Sequence, residues 1–151
     1  MKILLAVDDS KYSQAAIQSV LQKVHPLDTE VRVLHVLEPI LEAQWSSHHV
    51  YGEMMAQRRQ DATEIVKRAA DSLTAVGFKL CSYALESGIP KVVIVDEAKR
   101  WGADLIVLGS HGRTGLDRFL LGSVSEAVAR HAACSVEIVR AARQRTETVR
   151  S

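Results

Sequence analysis

The chain has 151 residues, of which 47% are hydrophobic and 25% charged, and its formal net charge is +1. This composition is typical of one soluble globular domain, and the near-neutral charge argues against a nucleic-acid-binding protein. No apolar run approaches the roughly 20 residues that a membrane-spanning helix needs, and Asp8 and Asp9 interrupt the N-terminal run where a signal peptide would continue. Cys81 and Cys134 lack metal-ligand spacing, so we expect a reduced cytoplasmic protein with both thiols buried as small hydrophobic groups.

Apolar runs alternate with amphipathic segments along the chain. Continuous apolar runs are typical of strands covered on both faces, and apolar residues at three- to four-residue spacing are typical of helices. The predicted strands are Ile3 to Val7, Glu30 to Leu37, Phe78 to Leu85, Leu105 to Leu108 and Ser135 to Val139. The predicted helices are Lys11 to about Val24, Glu53 to Val76, Pro90 to Trp101 and Ser123 to about His131.

Residues at the element boundaries support this division. Ser10 is a good N-cap for the first helix, and Gly77 and Gly102 end the second and third helices. The run Val92 to Val95 alone fits a strand, but Pro90 in front of it favours a helix. Residues Ile40 to Gly52 show no clean period, so we predict a long loop over one edge of the domain.

The order of these elements predicts an α/β fold. Strands that alternate with helices form a parallel sheet through right-handed crossovers, with helices on both faces. We therefore predict one domain over residues 1–141, built on an open five-stranded parallel sheet, and a polar, loose tail over residues 142–151. Ligands of such sheets bind beyond the carboxyl ends of the strands, which places Asp8 and the segment from Gly109 onward at the functional edge.

A glycine-rich loop joins the fourth predicted strand to the last helix. Four of the eight glycines fall between Gly109 and Gly122, with the polar residues Ser110 and Thr114 among them and Ser123 expected to cap the helix. Backbone N–H groups and a helix N-terminus that converge on one spot favour an anion, and a phosphate is the obvious candidate. The alternative is a tight strand-to-helix connection without a ligand, for which one glycine would be enough.

The spacing of this loop, Gly109-x2-Gly112-x9-Gly122-Ser123, resembles the ATP-binding motif of the universal stress protein family. The resemblance covers nearly the whole chain, since Val7 to Ser10, Val33 to Val36 and Gly88 to Pro90 also have counterparts in that family. It implies the strand order 3-2-1-4-5, a homodimer, and membership of the branch that binds ATP.

The resemblance also implies roles for single residues at the predicted site. Asp8 would accept hydrogen bonds from ribose hydroxyls, although it could instead serve only as a cap near the first helix. Val36 would offer backbone groups to adenine, and Arg118 would add charge near the phosphates. The implied nucleotide-binding residues are Ala6, Val7, Asp8, Val36, Gly109, His111, Gly112, Arg113, Gly122, Ser123, Val124 and Ser125.

The histidines carry weaker signals. His35 lies on an apolar strand and is expected to be a satisfied core histidine, and adjacent His48 and His49 point apart on an extended chain, which favours a solvated loop over a metal site. A catalytic base needs an oriented partner, and the sequence supplies none for His111. We therefore expect no catalytic residue and no protein-held metal. The P-loop, the dinucleotide-binding and the nucleophile-elbow motifs are all missing.

Three functions are compatible with these observations. The first is a regulatory protein that binds ATP, AMP or ADP, with Mg²⁺ on the phosphates. The second is an enzyme, a slow ATPase or a nucleotidyl-transfer relative, and the third is a ligand-free dimerisation module. The last strand, Ser135 to Val139, should form an apolar sheet edge, and an uncovered edge invites pairing with a second copy.

Overall fold

The computed structural model describes residues 1–40, 48–112 and 120–141. Strands and helices alternate along these residues, as the sequence predicts. The strands are β1 (Lys2–Ala6), β2 (Glu30–Leu37), β3 (Leu80–Ser87), β4 (Leu105–Gly109) and β5 (Ser135–Val139). The helices are α1 (Lys11–Lys23), α2 (His48–Ala75), α3 (Pro90–Trp101) and α4 (Ser123–His131).

The five strands form one parallel sheet in the order β3-β2-β1-β4-β5. In the centre of the sheet, Leu4 of β1 is in register with Arg32 of β2 on one side and with Ile106 of β4 on the other. The predicted fold class and strand order are confirmed. Since β1 is central and its two neighbours run outward in opposite directions, the topological switch point lies at the carboxyl ends of β1 and β4.

Alternate residues of the central strands pack into two separate cores. Ile3 and Leu5 of β1 face one core with α1 and α2, and Leu4 faces the other with α3 and α4. All three side chains are fully buried. Burial on both faces explains why β1 is continuously apolar in the sequence.

Most of the predicted boundaries hold because the local chemistry is strong. The Ser10 hydroxyl accepts a hydrogen bond from the Ser13 N–H at the start of α1. Gly102 ends α3 in the left-handed conformation with φ of 74°, which favours glycine. Pro90 lies in the first turn of α3, and the run Val92 to Val95 is helical.

The predicted loop from residue 40 to residue 52 is wrong in its second half. Helix α2 begins at His48, and residues 41–47 lie outside the described part of the chain. His48 and His49 are exposed as expected, but they lie on the helix, where His49 Nε2 contacts Glu53 Oε1 at 3.1 Å. This first turn is largely exposed, so it has no buried face that could give the sequence a helical period.

Three smaller expectations need correction. Strand β3 begins two residues later than predicted, because Phe78 turns into the core with 1% of its surface exposed. The N-cap of α4 is Gly122 and not a serine, and no side chain caps this helix. Cys81 and Cys134 are half-buried rather than buried, and burial raises the pKa of both thiols.

Two regions of the prediction have limited counterparts in the structure. The tail of residues 142–151 lies outside the described residues. Within the described ranges, no helix has the length and apolar character that crossing a membrane requires.

Candidate functional site

A cavity of about 500 Å³ opens at the carboxyl ends of the central strands, beside the N-terminus of α4. Sites for small molecules commonly enclose about 300–1,000 Å³, so this cavity has the size of a ligand site. The described residues that line it are Ala6, Val7, Asp8, Ser13, Leu34, His35, Val36, Glu38, Arg58, Pro90, Ile94, Leu108, Gly109, His111, Gly112, Ser123, Val124 and Ser125.

The cavity wall gathers most of the residues that the sequence assigns to a nucleotide. The predicted residues in the wall are Ala6, Val7, Asp8, Val36, Gly109, His111, Gly112, Ser123, Val124 and Ser125. Gly122 stands behind the wall, and Arg113 lies outside the described residues, as do Thr114 and Arg118. Their contact with a nucleotide stays a prediction.

The N-terminus of α4 supplies hydrogen-bond donors to this cavity. The first bond of the helix runs from the Glu126 N–H to the Gly122 carbonyl, at 3.0 Å. The N–H groups of Ser123, Val124 and Ser125 precede it and have no acceptor within the helix. A helix N-terminus carries partial positive charge, so these three groups favour an anion at this end of the cavity.

Two of the loop glycines are required by packing. A Cβ atom at Gly109 would lie 2.6 Å from Tyr12 Cβ and 2.7 Å from the Tyr12 carbonyl carbon, so glycine lets β4 approach α1. A Cβ atom at Gly122 would lie 3.1 Å from the Ser110 carbonyl oxygen, so glycine lets α4 approach the loop. For these two positions, the tight-connection alternative is sufficient.

Gly112 is different. A Cβ atom there would meet Asp8 Oδ2 at 3.5 Å, which is an ordinary contact, so packing alone does not require glycine. Among the described loop glycines 109, 112 and 122, none has a positive φ. Gly112 is exposed in the cavity wall, and a side chain there would occupy space beside Asp8.

Ser110 ties the loop to its neighbours. Its carbonyl oxygen accepts hydrogen bonds from the Gly122 N–H at 2.8 Å and from the Ser125 hydroxyl at 2.9 Å, and its own N–H donates to the Val139 carbonyl at 2.8 Å. The loop therefore has a fixed position between β5 and α4. The Ser125 hydroxyl also lies 3.0 Å from the Gly122 carbonyl, so its proton is engaged within the protein and only its oxygen lone pairs remain.

His111 is the most informative side chain in the wall. Only 9% of its surface is exposed, and Nδ1 lies 3.0 Å from the buried Ser110 hydroxyl. Its other ring nitrogen, Nε2, is buried and has no hydrogen-bond partner among the described residues. A buried polar atom without a partner costs about 1–3 kcal/mol, so this nitrogen calls for a ligand atom.

Asp8 performs part of both roles that the sequence left open. Its Oδ1 accepts a hydrogen bond from the Ser10 N–H at 2.8 Å, and its own N–H donates to the Ser13 hydroxyl at 2.7 Å. These bonds fix the carboxylate at the turn into α1. The second oxygen, Oδ2, faces Gly112 across the cavity wall and is placed to accept a further hydrogen bond.

Sequence reasoning missed several residues of the wall. His35 Nδ1 donates to the Val7 carbonyl at 2.7 Å, so this histidine is satisfied as expected, but it also lines the cavity. Arg58 reaches from α2 and donates to the Glu38 carbonyl at 3.0 Å. The positions of His35 and Glu38 near the end of β2 could have identified them, whereas nothing in the sequence relates Arg58 to this edge.

Charges of both signs face the cavity. Asp8 and Glu38 bring carboxylates, and Arg58 brings a guanidinium group. Attraction for an anion therefore comes from backbone N–H groups of α4 more than from the side chains that the structure describes. Among the described residues, no three His, Cys, Asp or Glu side chains are grouped to hold a metal ion.

Comparison with known proteins decides the family. The model of the universal stress protein family matches residues 1–140. The chain belongs to this family. Universal stress protein MJ0531 of Methanocaldococcus jannaschii is 34% identical over 145 residues, which cover 92% of this chain and 81% of that protein.

Solved structures of this family share the fold. UspA from Lactobacillus plantarum matches with a TM-score of 0.80 and 26% identity, over 93% of this chain and 97% of that one. The hypothetical protein MJ0577 matches with a TM-score of 0.79 and 32% identity, over 92% of this chain and 94% of that one. The resemblance to the universal stress proteins is thereby confirmed.

Proposed function

We propose that this universal stress protein binds an adenine nucleotide, namely ATP or its mono- or diphosphate, and acts as a nucleotide-dependent regulator in the stress response. The observation that carries the proposal is the buried, unpartnered Nε2 of His111 in the same cavity wall as the free N–H groups of α4. A phosphate oxygen satisfies both, because it accepts several hydrogen bonds at once and carries the charge that the helix N-terminus favours.

The other end of the cavity suits a nucleoside. Ala6, Leu34 and Ile94 provide apolar surface, and Val36 brings the backbone of β2 into the wall. Asp8 Oδ2 lies between this end and the glycine loop, where a ribose hydroxyl could donate to it. The arrangement therefore orders base, sugar and phosphate from β2 towards α4.

Proteins of this fold have been solved with adenine nucleotides. One universal stress protein was solved in complex with cAMP, and it matches with a TM-score of 0.70 and 24% identity over 94% of this chain and 98% of that one. The family protein At3g01520 of Arabidopsis thaliana was solved with AMP bound, and it matches with a TM-score of 0.73 and 22% identity over 99% of this chain and 97% of that one. At these identities the likeness concerns the fold, so it supports the class of ligand and not the individual contacts.

We further propose that Mg²⁺ accompanies a bound di- or triphosphate. Mg²⁺ usually keeps several waters and takes one or two carboxylates besides phosphate oxygens, and Asp8 is a carboxylate in the wall that could contribute. The proposed activity is binding rather than turnover, in the cytoplasm, by a homodimer that pairs through β5. Measuring inorganic phosphate release from ATP tests the enzymatic alternative.

Calorimetric titration of ATP, ADP and AMP into the purified full chain, with and without Mg²⁺, tests the proposal. Mass spectrometry of the small molecules released on heat denaturation shows whether a nucleotide is already bound. Gly112→Val should weaken binding at least about tenfold, because its side chain fills space beside Asp8 without a backbone clash. Gly52→Val is the matched control, since a Cβ at Gly52 meets nothing within 4 Å. An empty extract together with no heat on titration would refute nucleotide binding.

A further inference from the structure

A second, smaller cavity of about 180 Å³ adjoins the first. Glu38, Pro90, Ser123 and Val124 belong to the walls of both cavities. Since Ser123 and Val124 begin α4, the proposed phosphate position borders both spaces. A group attached to that phosphate could therefore enter the second cavity, which we call the side chamber.

The side chamber is too small to be an independent ligand site. Its volume falls below the roughly 300 Å³ at which typical small-molecule sites begin. It has room for one further group of a ligand that is held mainly in the first cavity. The position of this chamber, next to the first residues of α4, makes it an extension of the proposed nucleotide site.

The far wall of the side chamber is fixed by a glycine. Gly88 donates its N–H to the Leu37 carbonyl at 2.9 Å and has a φ of 145°, which favours glycine. A Cβ atom there would lie 2.8 Å from Val93 Cγ2. Ile89 follows directly and remains 57% exposed at the chamber wall, so the packing of the domain leaves it available.

The chemistry of the wall favours a sugar over a bare phosphate. Pro39, Ile89 and Pro90 offer apolar surface to a ring. The Glu38 carboxylate repels a terminal phosphate but accepts hydrogen bonds from hydroxyl groups. Lys91 adds an ammonium group, which suits a phosphate that links the two parts of a ligand.

We propose that the preferred ligand is a nucleoside diphosphate ester, with its second sugar in the side chamber. This inference rests on the proposed function and names the substrate class for the same site. The adenosine part occupies the first cavity, the diphosphate lies at the N-terminus of α4, and the second sugar contacts Ile89 and Glu38.

Calorimetric titration of the full chain with AMP and with ADP-ribose tests this assignment. The wild type should bind ADP-ribose at least about tenfold more tightly than AMP. Ile89→Trp fills the side chamber, so it should abolish that advantage and leave the affinity for AMP within about twofold. Leu80→Trp is the matched control, because Leu80 is an apolar residue of β3 that is 63% exposed and lies in neither wall.

Each outcome bears on one proposal. If AMP binds but ADP-ribose binds no more tightly, the side chamber does not receive the sugar, while nucleotide binding stands. The same conclusion follows if Ile89→Trp weakens both ligands equally, or if Leu80→Trp has the same effect as Ile89→Trp. If neither ligand binds, the proposed function fails and this inference fails with it.

Discussion

His111 is the side chain on which the proposed function depends most directly. We predict that a variant without a donor at the position of Nε2 keeps its fold but loses nucleotide affinity. His111→Asn is the appropriate change, because an asparagine amide can occupy the place of Nδ1 beside the Ser110 hydroxyl but does not reach the place of Nε2. His111→Gln is the matched variant, because its longer side chain can place an amide donor near the position of Nε2.

The magnitude follows from the state of the two ring nitrogens. In the ligand-free protein, Nε2 is buried without a partner among the described residues, so removing it relieves about 1–3 kcal/mol of desolvation. The loss of the imidazole ring from its place beside Tyr12, at 5.0 Å between ring centroids, offsets part of this gain. In the complex, a hydrogen bond to a charged phosphate is worth about 1.5–3 kcal/mol, which corresponds to roughly 10- to 150-fold in affinity.

Two measurements separate these effects. Urea unfolding of the ligand-free protein should place His111→Asn within about 1 kcal/mol of the wild type. Calorimetry should show the predicted loss of nucleotide affinity for His111→Asn and a smaller loss for His111→Gln. An unchanged affinity for His111→Asn would mean that Nε2 does not contact the ligand, and the argument from the buried nitrogen would be wrong. Equal losses for the two variants would point to packing rather than hydrogen bonding.

Three further predictions concern the fold and the assembly. Gly109→Ala should lower the free energy of unfolding by about 1–3 kcal/mol, since its Cβ meets Tyr12 at 2.6 Å, and denaturant unfolding measures this. Burial raises the pKa of Glu97, but hydrogen bonds from Arg100 and Arg32 outweigh this and hold it below the ordinary value. Its contribution is therefore present above the ordinary carboxyl pKa and is lost as the pH falls through the folded pKa, so Glu97→Gln should cost about 2 kcal/mol at neutral pH and less near about pH 3, by urea unfolding. Light scattering at micromolar concentration should give the wild type twice the mass of one chain, and a lysine in place of Val136 in β5 should shift it towards the monomer.

The sequence was sufficient for those parts of the fold that depend on local chemistry. The alternation of apolar and amphipathic segments, together with Pro90 and Gly102, predicted the order and the type of every described strand and α-helix. It failed at the start of α2, where exposed residues such as His48 carry no helical period. The site was predicted where it follows the glycine motif, but Arg58 was missed, because its place at the cavity depends on how α2 packs across the end of β2.

The glycine motif combines two physical requirements that its spacing alone does not distinguish. Gly109 and Gly122 are needed so that β4, α1 and α4 approach one another, and this packing would be needed without any ligand. Yet the same packing brings the first N–H groups of α4 next to the buried ring of His111, and neither group has a partner there among the described residues. A connection built only for stability would not leave such donors unsatisfied, since each costs free energy. The argument for a phosphate site thus rests less on the number of glycines than on the polar groups that two of them bring together, with Gly112 keeping the space in front of them open.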